Sequence, residues 1–294
     1  MIAPLTKAQR KKLDGKLVVA SVSGGKDSAA MSLWLTENEV EHRRVFADTG
    51  WEHEKTYEYL RGPLAAKLGP IEEVRGKYTF EELCLHKGMF PSRTKRFCTQ
   101  FLKIFPLFAY MNALAESGLV VNAVGIRWAE SEARRAFKEW DESEGLDAEV
   151  WRPLLAWTEQ DVIDMHARHG LPPNPLYRMG ARRVGCWPCL FAAKDEVRLV
   201  ADRDPARIDR IRALEEAVTA GAAKRIAASG EAERDAFTSM FTAVSGDRQR
   251  ISIDDAVKWS RTERGGKQLG IFAPPADAGC ARWGMCEPPS EPPP

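Results

Sequence analysis

The stretch 17–30, LVVASVSGGKDSAA, constrains the fold more than any other part of the chain. Its apolar start, 17–20, ends in the string Ser23 to Ser28, and helix-favouring residues follow at once. A strand, a glycine turn and a helix start in this order predict a phosphate site, because glycine lets the backbone approach an anion and a helix N-terminus presents free N–H groups. A Walker A loop is excluded, since Ala20 stands at its first glycine and Asp27 at its Ser/Thr position. The remaining alternative is an ordinary strand-to-helix turn.

Composition and charge narrow the class of protein. The chain has 294 residues, a length that allows one large domain with an appendage. Its net charge of +1 gives no overall electrostatic attraction to nucleic acid or to a membrane. The start of the chain lacks the apolar core of a signal peptide, and no apolar run reaches membrane-spanning length. We therefore expect a cytoplasmic protein that binds no membrane. In that compartment its six cysteines favour metal or redox use over structural disulfides.

Apolar runs and helical patterns alternate along the first half of the chain. Beyond the opening strand, further strands are predicted at 41–47, 71–74 and 119–126, with helices at 29–38, 54–68 and 99–117. Such alternation predicts an α/β fold, a parallel sheet sandwiched by helices. Ligands in these sheets bind at the carboxyl ends of strands. Because the Ser23 loop, Asp48-Thr49-Gly50 and Gly125-Ile126-Arg127 all follow strands, we expect them to meet at one edge.

The second half of the chain is predicted to be mainly helical. Residues 128–146 favour a loop or exposed helix over the site, and Thr158 caps a helix that ends near Gly170. We interpret His166 and His169 on that helix as surface or capping residues. From residue 204 a helical stripe follows, consisting of Ile208, Ile211, Leu214 and Val218. The domain organisation predicted is a nucleotide-binding domain at 1–200, a helical region at 201–287 and a disordered Pro-rich tail at 288–294.

Seven motifs in the same order resemble one known family. They are Ser23–Ser28; Asp48-Thr49-Gly50 with Glu54 and Thr56; Arg96-Phe97-Cys98-Thr99 with Lys103; Gly125-Ile126-Arg127 with Glu130-Ser131 and Arg134-Arg135; Pro153-Leu154 with Trp157-Thr158; Asn174-Pro175-Leu176-Tyr177; and Gly185-Cys186-Trp187-Pro188-Cys189. Together they span 17–199 and resemble PAPS (phosphoadenosine phosphosulfate) reductase-like proteins of the PP-loop, or ATP pyrophosphatase, superfamily, which includes DNA-phosphorothioation sulfurtransferases. The resemblance implies the adenine nucleotide α-hydrolase-like fold.

The same resemblance implies a nucleotide site and assigns its residues. ATP, or alternatively PAPS or its 3′-dephospho analogue (APS), would lie at the carboxyl edge of the sheet, with Asp27 orienting either the loop or a Mg²⁺ ion. The residues implied to bind the nucleotide are Ser23, Gly24, Gly25, Lys26, Asp27, Ser28, Asp48, Thr49, Gly125 and Arg127. The residues implied to be catalytic are Lys26, Asp27, Arg127 and Arg134, the two guanidinium groups being suited to developing charge on phosphate or sulfate.

The cysteines suggest a second component of the site. Cys186 and Cys189 form a C-x-x-C pair, whose two thiolates can chelate one metal ion or the edge of a cluster. By the resemblance Cys98 supplies a third thiolate, and Cys280 or Cys286 the fourth that a [4Fe–4S] cluster needs. The resemblance favours iron–sulfur, and a zinc ion with the same ligands is the main alternative. A thioredoxin-type pair is disfavoured by the loop-like residues before it, and Cys84 is interpreted as packing.

Two chemistries fit such a site. In the first, ATP adenylates an acceptor, pyrophosphate leaves, and sulfur from a sulfur donor replaces the activated group; local basic clusters permit DNA or tRNA as the acceptor. In the second, a thiol reduces the sulfonyl group of PAPS or APS and sulfite is released. The reductases end in Glu-Cys-Gly-Leu-His, whereas here Glu287 follows the second cysteine of the 280–286 segment, so we favour sulfur transfer. A non-catalytic nucleotide sensor is a third hypothesis, disfavoured by the intact loop.

Overall fold

The computed structural model describes residues 2–92, 94–116, 118–142, 148–229, 236–242 and 250–262. Its strands are β1 (Lys16–Ser21), β2 (His42–Asp48), β3 (Glu72–Arg75), β4 (Leu119–Val124), β5 (Trp140–Glu142), β6 (Ala148–Trp151), β7 (Phe241–Thr242) and β8 (Arg250–Ile251). Its helices are α1 (Lys7–Leu13), α2 (Lys26–Glu37), α3 (Glu54–Tyr59), α4 (Ala65–Leu68), α5 (Phe80–Lys87), α6 (Phe97–Thr99), α7 (Phe105–Ala115), α8 (Glu159–Arg168), α9 (Pro175–Arg178), α10 (Lys194–Arg203), α11 (Pro205–Ser229) and α12 (Ile253–Ser260).

One sheet organises the molecule, and its strand order is β3-β2-β1-β4-β6-β5. The first five strands of that order are parallel, and β5 pairs antiparallel with β6. In the register, Ser21 at the end of β1 faces Val45 of β2 and Val124 of β4. The predicted α/β fold with a parallel sheet and a helical C-terminal region is confirmed, and the three strand ends that carry the predicted motifs are adjacent.

Two helices are interrupted by wider turns near a proline. A π-helical segment, Leu60–Leu64, contains Pro63 between α3 and α4, and a second one, Gln100–Ile104, precedes Pro106 of α7. Proline lacks the N–H of a regular α-helical turn, so a π-turn beside it keeps the chain helical. The helices predicted at 54–68 and 99–117 are therefore present but interrupted.

The prediction of a loop or exposed helix for 128–146 agrees with the structure over 128–139 and is wrong at 140–142, which form a strand. The chain makes two short 3₁₀ turns, Trp128–Glu130 and Glu132–Ala136, and then enters the edge strand β5. Packing explains the strand, because the indole of Trp140 stacks on that of Trp151 with ring centroids 5.1 Å apart. Since Trp151 is fully buried in β6, this contact attaches a polar segment to the sheet. Neither β5 nor β6 was predicted.

The C-terminal helices pack on the same apolar cluster as the segment after β2. The predicted stripe of α11 is buried together with Trp51 and Trp187. Glu215 is buried beside that stripe, and its carboxylate accepts the N–H groups of Met240, at 3.2 Å, and Ile253, at 2.9 Å. These bonds fasten the start of α12 and the start of β7 to α11.

No helix among the residues the structure describes is long and apolar enough to cross a membrane.

A buried histidine joins the first strand–helix unit to β2. The hydroxyl of Ser32 in α2 lies 2.8 Å from His42 Nε2 and accepts the Arg44 Nε–H. That hydroxyl therefore donates its own hydrogen to Nε2, while His42 Nδ1 donates to the Val40 carbonyl at 2.7 Å. The neutral imidazole satisfies every partner, whereas protonation would remove the acceptor for Ser32. Burial first of all, with the nearby Arg44 charge, lowers the pKa of His42 to about 4, although the Val40 bond opposes this.

We expect His42 to make the fold acid-sensitive. The unfolded chain has the ordinary imidazole pKa of 6.5 and binds the proton more tightly, so this stability is complete above about pH 6.5 and is lost as the pH falls toward about 4. Between pH 7 and pH 4.5 the loss is about 2 kcal/mol, since one unit of pKa corresponds to about 1.4 kcal/mol. The free energy of unfolding is measured with urea at both pH values. Its decrease between pH 7 and pH 4.5 should be smaller by this amount in His42→Gln than in wild type. The matched control is the exposed His86→Gln, and an equal pH dependence in the two variants would contradict the assignment.

Candidate functional site

The predicted phosphate loop is a rigid turn between β1 and α2. Gly24 has a left-handed φ of +73°, and a Cβ on it would come within 3.0 Å of Thr56 Cγ2. The Ser28 hydroxyl accepts the Ser23 N–H and donates to the Gly25 carbonyl, both at 3.1 Å. Gly25 is the N-cap residue of α2 and has no side chain to cap it. The first turn of α2 therefore offers backbone N–H groups of the kind that bind phosphate.

The loop after β4 lies directly against the start of α2. A Cβ on Gly125 would come within 2.9 Å of the backbone N and Cα of Ser28, so only glycine fits at this position. Two residues further on, the guanidinium of Arg127 pairs with the carboxylate of Asp27. The predicted meeting of the strand ends is thus a close backbone contact that carries Arg127 into the site.

Opposite charges are paired inside the site. Lys26 is 7 % exposed and Arg127 is 4 % exposed, so both cations are largely removed from water. The Lys26 ammonium lies 3.3 Å from Glu159 Oε1 and 3.7 Å from Asp27 Oδ2. Arg134 is half-exposed and pairs with Glu130, whose carboxylate also accepts the Arg127 backbone N–H at 2.8 Å. Two buried cations thus share two carboxylates.

The strand end at Asp48 supports the site from behind. Asp48 is buried and accepts from Arg75, from the Tyr57 hydroxyl at 2.7 Å and from the Gly50 N–H at 2.8 Å. Burial by itself would raise the pKa of Asp48, but these hydrogen bonds outweigh burial and lower it. The neighbouring Thr49 hydroxyl donates to Glu52 at 2.8 Å. Both predicted nucleoside contacts are therefore engaged with protein groups.

The C-x-x-C loop is fastened to the residues after β2. Cys186 forms an antiparallel bridge with Glu52, and the Trp187 N–H donates to the Trp51 carbonyl at 2.9 Å. The Trp51 indole returns a hydrogen bond to the Pro188 carbonyl at 3.1 Å. The peptide between Trp187 and Pro188 is cis. These contacts hold the cysteine loop next to the strand end that follows Asp48.

A buried carboxylate that the sequence analysis missed lies beside the first cysteine. Glu52 Oε1 is 3.9 Å from Cys186 Sγ, and the Thr49 hydroxyl is 3.8 Å from the same sulfur. Glu52 also accepts the Tyr57 hydroxyl at 3.1 Å. The only sequence signal for Glu52 was its position four residues after the end of β2. The motif after this strand included Glu54 and Thr56 and did not include Glu52. The site thus contains a hydrogen-bonded acid next to a thiol.

Three of the predicted metal ligands lie near one lysine. The Cys186 thiol, followed by Glu52, Cys189 and Cys98, raises the pKa of Lys103 despite its burial. Burial raises the pKa of Cys186 to about 11, although the Lys103 charge opposes this. Among the described residues, no group of three or more His, Cys, Asp or Glu side chains is arranged to hold a metal ion. Cys280 and Cys286 lie outside the described residues, so the ligand set stays a prediction. Cys84 is fully buried in an apolar cluster, as predicted.

A cavity of about 1070 Å³ joins these parts. Predicted site residues that line it are Ser23, Gly25, Lys26, Asp27, Ser28, Gly125, Arg127, Arg134, Cys186 and Cys189. The other described ones, Gly24, Asp48, Thr49 and Cys98, are not among the residues that line it. The phosphate loop and the C-x-x-C pair therefore face one space, which exceeds what a small ligand fills.

Helices α8 and α9 supply contacts to the phosphate loop. His166 is buried rather than a surface or capping residue, and its Nε2 lies 2.9 Å from the Lys26 carbonyl. Asn174 Nδ2 donates to the Gly24 carbonyl at 3.2 Å, and the Tyr177 hydroxyl accepts the Lys26 N–H at 3.1 Å. The Asn174–Tyr177 motif was noted in the sequence without a role. The interpretation of His166 was wrong because spacing within α8 does not show that this helix packs on α2.

Comparison with known proteins places the chain in a family. The model of the phosphoadenosine phosphosulfate reductase domain matches residues 17–192. The chain is 32% identical, over 92% of its length and 96% of the relative, to an uncharacterized 37.8 kDa protein in the gpa 5′ region of Escherichia phage 186. It is 27% identical to an adenosine 5′-phosphosulfate reductase of Bacillus cereus, over 60% of this chain and 75% of that one.

A solved structure has a similar arrangement. The phosphoadenylyl-sulfate reductase of Candida auris in its phosphate complex aligns with a TM-score of 0.49 and 18% identity, covering 64% of this chain and 89% of that one. The family model covers more than half of the chain, and the phage relative matches nearly all of it. The chain therefore belongs to the phosphoadenosine phosphosulfate reductase family, within the PP-loop superfamily that its motifs resemble.

Proposed function

We propose that the protein binds ATP at the Ser23–Ser28 loop and carries out adenylating sulfur transfer. One observation carries this proposal: the phosphate loop and the thiols of Cys186 and Cys189 line the same cavity. A site that activates an acceptor with a nucleotide and then delivers sulfur needs both components within reach of one substrate. The cavity volume, about 1070 Å³, leaves room for an acceptor group beside a nucleotide.

The chain's charged residues suit attack at the α-phosphorus of ATP. An acceptor oxygen forms a bond to that phosphorus, the bond to the β-phosphate oxygen breaks, and pyrophosphate leaves. Lys26 and Arg127 can offset the negative charge that develops, and their burial strengthens this effect because little water screens them. Mg²⁺ entering with the polyphosphate would take Asp27 as an oxygen ligand. In the second step hydrosulfide displaces AMP from the acceptor: sulfur forms a bond to the acceptor atom, and the bond from that atom to the oxygen shared with AMP breaks.

The cysteines are proposed to hold a group that carries or positions the sulfide. Cys98, Cys186 and Cys189, with Cys280 or Cys286, would hold a [4Fe–4S] cluster, or Zn²⁺ as the alternative. The support for this proposal is the donor type, since Cys98, Cys186 and Cys189 all act on the charge of Lys103, although their side chains are not arranged around a metal ion. The Lys103 charge opposes, without outweighing, the burial that raises the pKa of the Cys186 thiol, so metal binding would have to displace its proton. The protein's own part is to keep the thiols beside the nucleotide cavity.

Sulfonucleotide reduction is the second candidate function. It is favoured by relatives named adenosine 5′-phosphosulfate reductase, such as the one of Bacillus cereus. Its nucleophile would be a thiol facing the sulfonyl group, and the described thiols that line the cavity belong to Cys186 and Cys189. Glu287 follows Cys286 here, whereas a Glu precedes the Cys in the Glu-Cys-Gly-Leu-His motif of the reductases, and this departure keeps sulfur transfer as the main proposal.

Nucleotide turnover should separate these functions and depend on Arg127. Anaerobic protein is incubated with ATP, hydrosulfide and DNA or tRNA as acceptor, and separately with PAPS or APS and a thiol. Pyrophosphate release supports transfer, and sulfite release supports reduction. If neither product forms, both functions are contradicted and nucleotide sensing is the hypothesis that is left. The favoured activity should fall about 100-fold in Arg127→Ala, because one charged contact to the developing negative charge is lost.

The control for this loss is Arg135→Ala. Arg135 is exposed and pairs with Glu132 three residues away, so its removal should leave turnover within about twofold of wild type. Thermal unfolding of both variants excludes a loss of folded protein. Equal turnover in the two variants would remove Arg127 from the catalytic site.

Metal analysis tests the cysteine assignment. Anaerobically purified protein should be brown, with broad visible absorption and about four irons per chain for the one cluster proposed. Cys186→Ser should lose most of this iron, whereas Cys84→Ser, in the apolar cluster, should keep it if the variant folds. Colourless protein with stoichiometric zinc would replace the cluster by the alternative metal, and protein without either metal would contradict the assignment.

A further inference from the structure

Three buried side chains hold the backbone of the phosphate loop from behind. His166 is 1 %, Asn174 1 % and Tyr177 2 % exposed, and each bonds to a backbone group of residues 24–26. We propose that His166 and Asn174 are positioning residues, which turn the peptide groups of this loop so that their N–H groups serve a phosphate. The assumption that the ligand is a phosphate rests on the proposed function. The role of the two side chains in the loop geometry does not depend on it.

The peptide planes of the loop are set through their carbonyl oxygens. The Gly24 carbonyl accepts from Asn174 at 3.2 Å, the Gly25 carbonyl from Ser28 at 3.1 Å, and the Lys26 carbonyl lies 2.9 Å from His166 Nε2. In a planar trans peptide the N–H of the next residue points opposite to the carbonyl. Three consecutive carbonyls tied to the protein therefore fix the directions of the next three N–H groups. The Lys26 N–H donates to the Tyr177 hydroxyl, so the inference assigns the N–H groups of Gly25 and Asp27 to a phosphate. Phosphate is attracted by N–H groups and repelled by carbonyl oxygens, so a reversed peptide plane would weaken its binding.

The contact also defines which nitrogen of His166 carries hydrogen. Both ring nitrogens face a carbonyl oxygen, which only accepts, so each nitrogen bonds to its carbonyl only when it carries a hydrogen. Nδ1 lies farther from its carbonyl than Nε2 does, at 3.3 Å from that of Leu171. Burial lowers the pKa of His166, which favours a neutral ring with a single N–H. The shorter contact assigns that hydrogen to Nε2, on the side of the loop.

Helix α8 reaches the same lysine at two points. His166 holds the Lys26 carbonyl, while Glu159, at the start of the helix, lies 3.3 Å from the Lys26 ammonium. The α8 helix packs along α2, so a shift of either helix would change both contacts. A histidine that only filled space would need its size, whereas a positioning histidine needs its donor hydrogen. This difference makes the inference testable.

The experiment compares two variants of His166 that differ in the donor. In Gln the side-chain Nε2 is as many bonds from Cα as Nε2 of histidine, so His166→Gln keeps an N–H for the Lys26 carbonyl, and His166→Leu removes it. Inorganic pyrophosphate is the probe, and its Kd is measured by titration calorimetry. We expect about tenfold weaker binding in His166→Leu and binding within threefold of wild type in His166→Gln. The control is His169→Gln, on the same helix but paired with Glu37 at 2.8 Å, which should bind like wild type.

A second measurement needs no ligand. Amide hydrogen exchange of a peptide covering 23–28 should be faster in His166→Leu than in wild type and unchanged in His166→Gln. If wild-type protein binds neither ATP nor pyrophosphate while the exchange differs in this way, the proposed function fails and the positioning role stands. Equal exchange and equal pyrophosphate binding in the Leu and Gln variants would overturn the inference.

Asn174 provides an independent variant if His166→Leu does not fold. Asn174→Asp keeps the oxygen that accepts the Leu176 N–H at the start of α9 but places a carboxylate oxygen against the Gly24 carbonyl. It should weaken pyrophosphate binding at least tenfold and speed exchange at 23–28. Wild-type values of both quantities in Asn174→Asp would contradict the positioning role.

Discussion

The pairing of β1 with β2 on one side and β4 on the other is the constraint on which the site depends. Because all three strands run parallel, their carboxyl ends meet at one edge, with Ser21 opposite both Val45 and Val124. That register brings Gly125 against the backbone of Ser28. The two backbones are so close that only glycine fits at position 125. A parallel sheet needs helices on both faces. Helix α2, which begins within the phosphate loop, is the connection from β1 to β2. The site is therefore a consequence of the topology.

Charge balance inside the cavity has a consequence for the ligand. Lys26 and Arg127 are buried and share the carboxylates of Asp27 and Glu159, so the group is close to neutral without a ligand. A polyphosphate alone would bring several negative charges next to two carboxylates. Either the carboxylates move away from their cations or a divalent ion accompanies the phosphate and pairs with them. This balance supports the proposed use of Mg²⁺ together with ATP, and it makes backbone N–H groups the neutral part of the phosphate contact.

Sequence patterns predicted the parts of this molecule that depend on local chemistry. The strands β1 to β4, the helix after the phosphate loop and the buried stripe of α11 follow from periodicity and turn residues. The edge strand β5 depends instead on Trp140 stacking on Trp151, a contact across the sheet that no local pattern shows. In the same way, His166 and Glu52 reach the site only because α8 packs on α2 and because the cysteine loop bridges to Glu52. Motif spacing found residues that face the cavity and missed those that hold them from behind.

The two halves of the cavity are held by different hydrogen bonds, although Leu176 of α9 is buried in the same apolar cluster as Trp51 and Trp187. The phosphate loop is supported by α8 and α9 through backbone hydrogen bonds. The cysteine loop is supported by Trp51 and by Asp204 beside α11, which accepts the Trp187 indole N–H at 3.1 Å. The guanidinium of Arg207 in α11 lies 4.8 Å from the centroid of the Trp51 ring. This contact connects the C-terminal helices to the support of the cysteine loop. In the proposed function, these two supports together set the distance between a bound nucleotide and the thiols of Cys186 and Cys189.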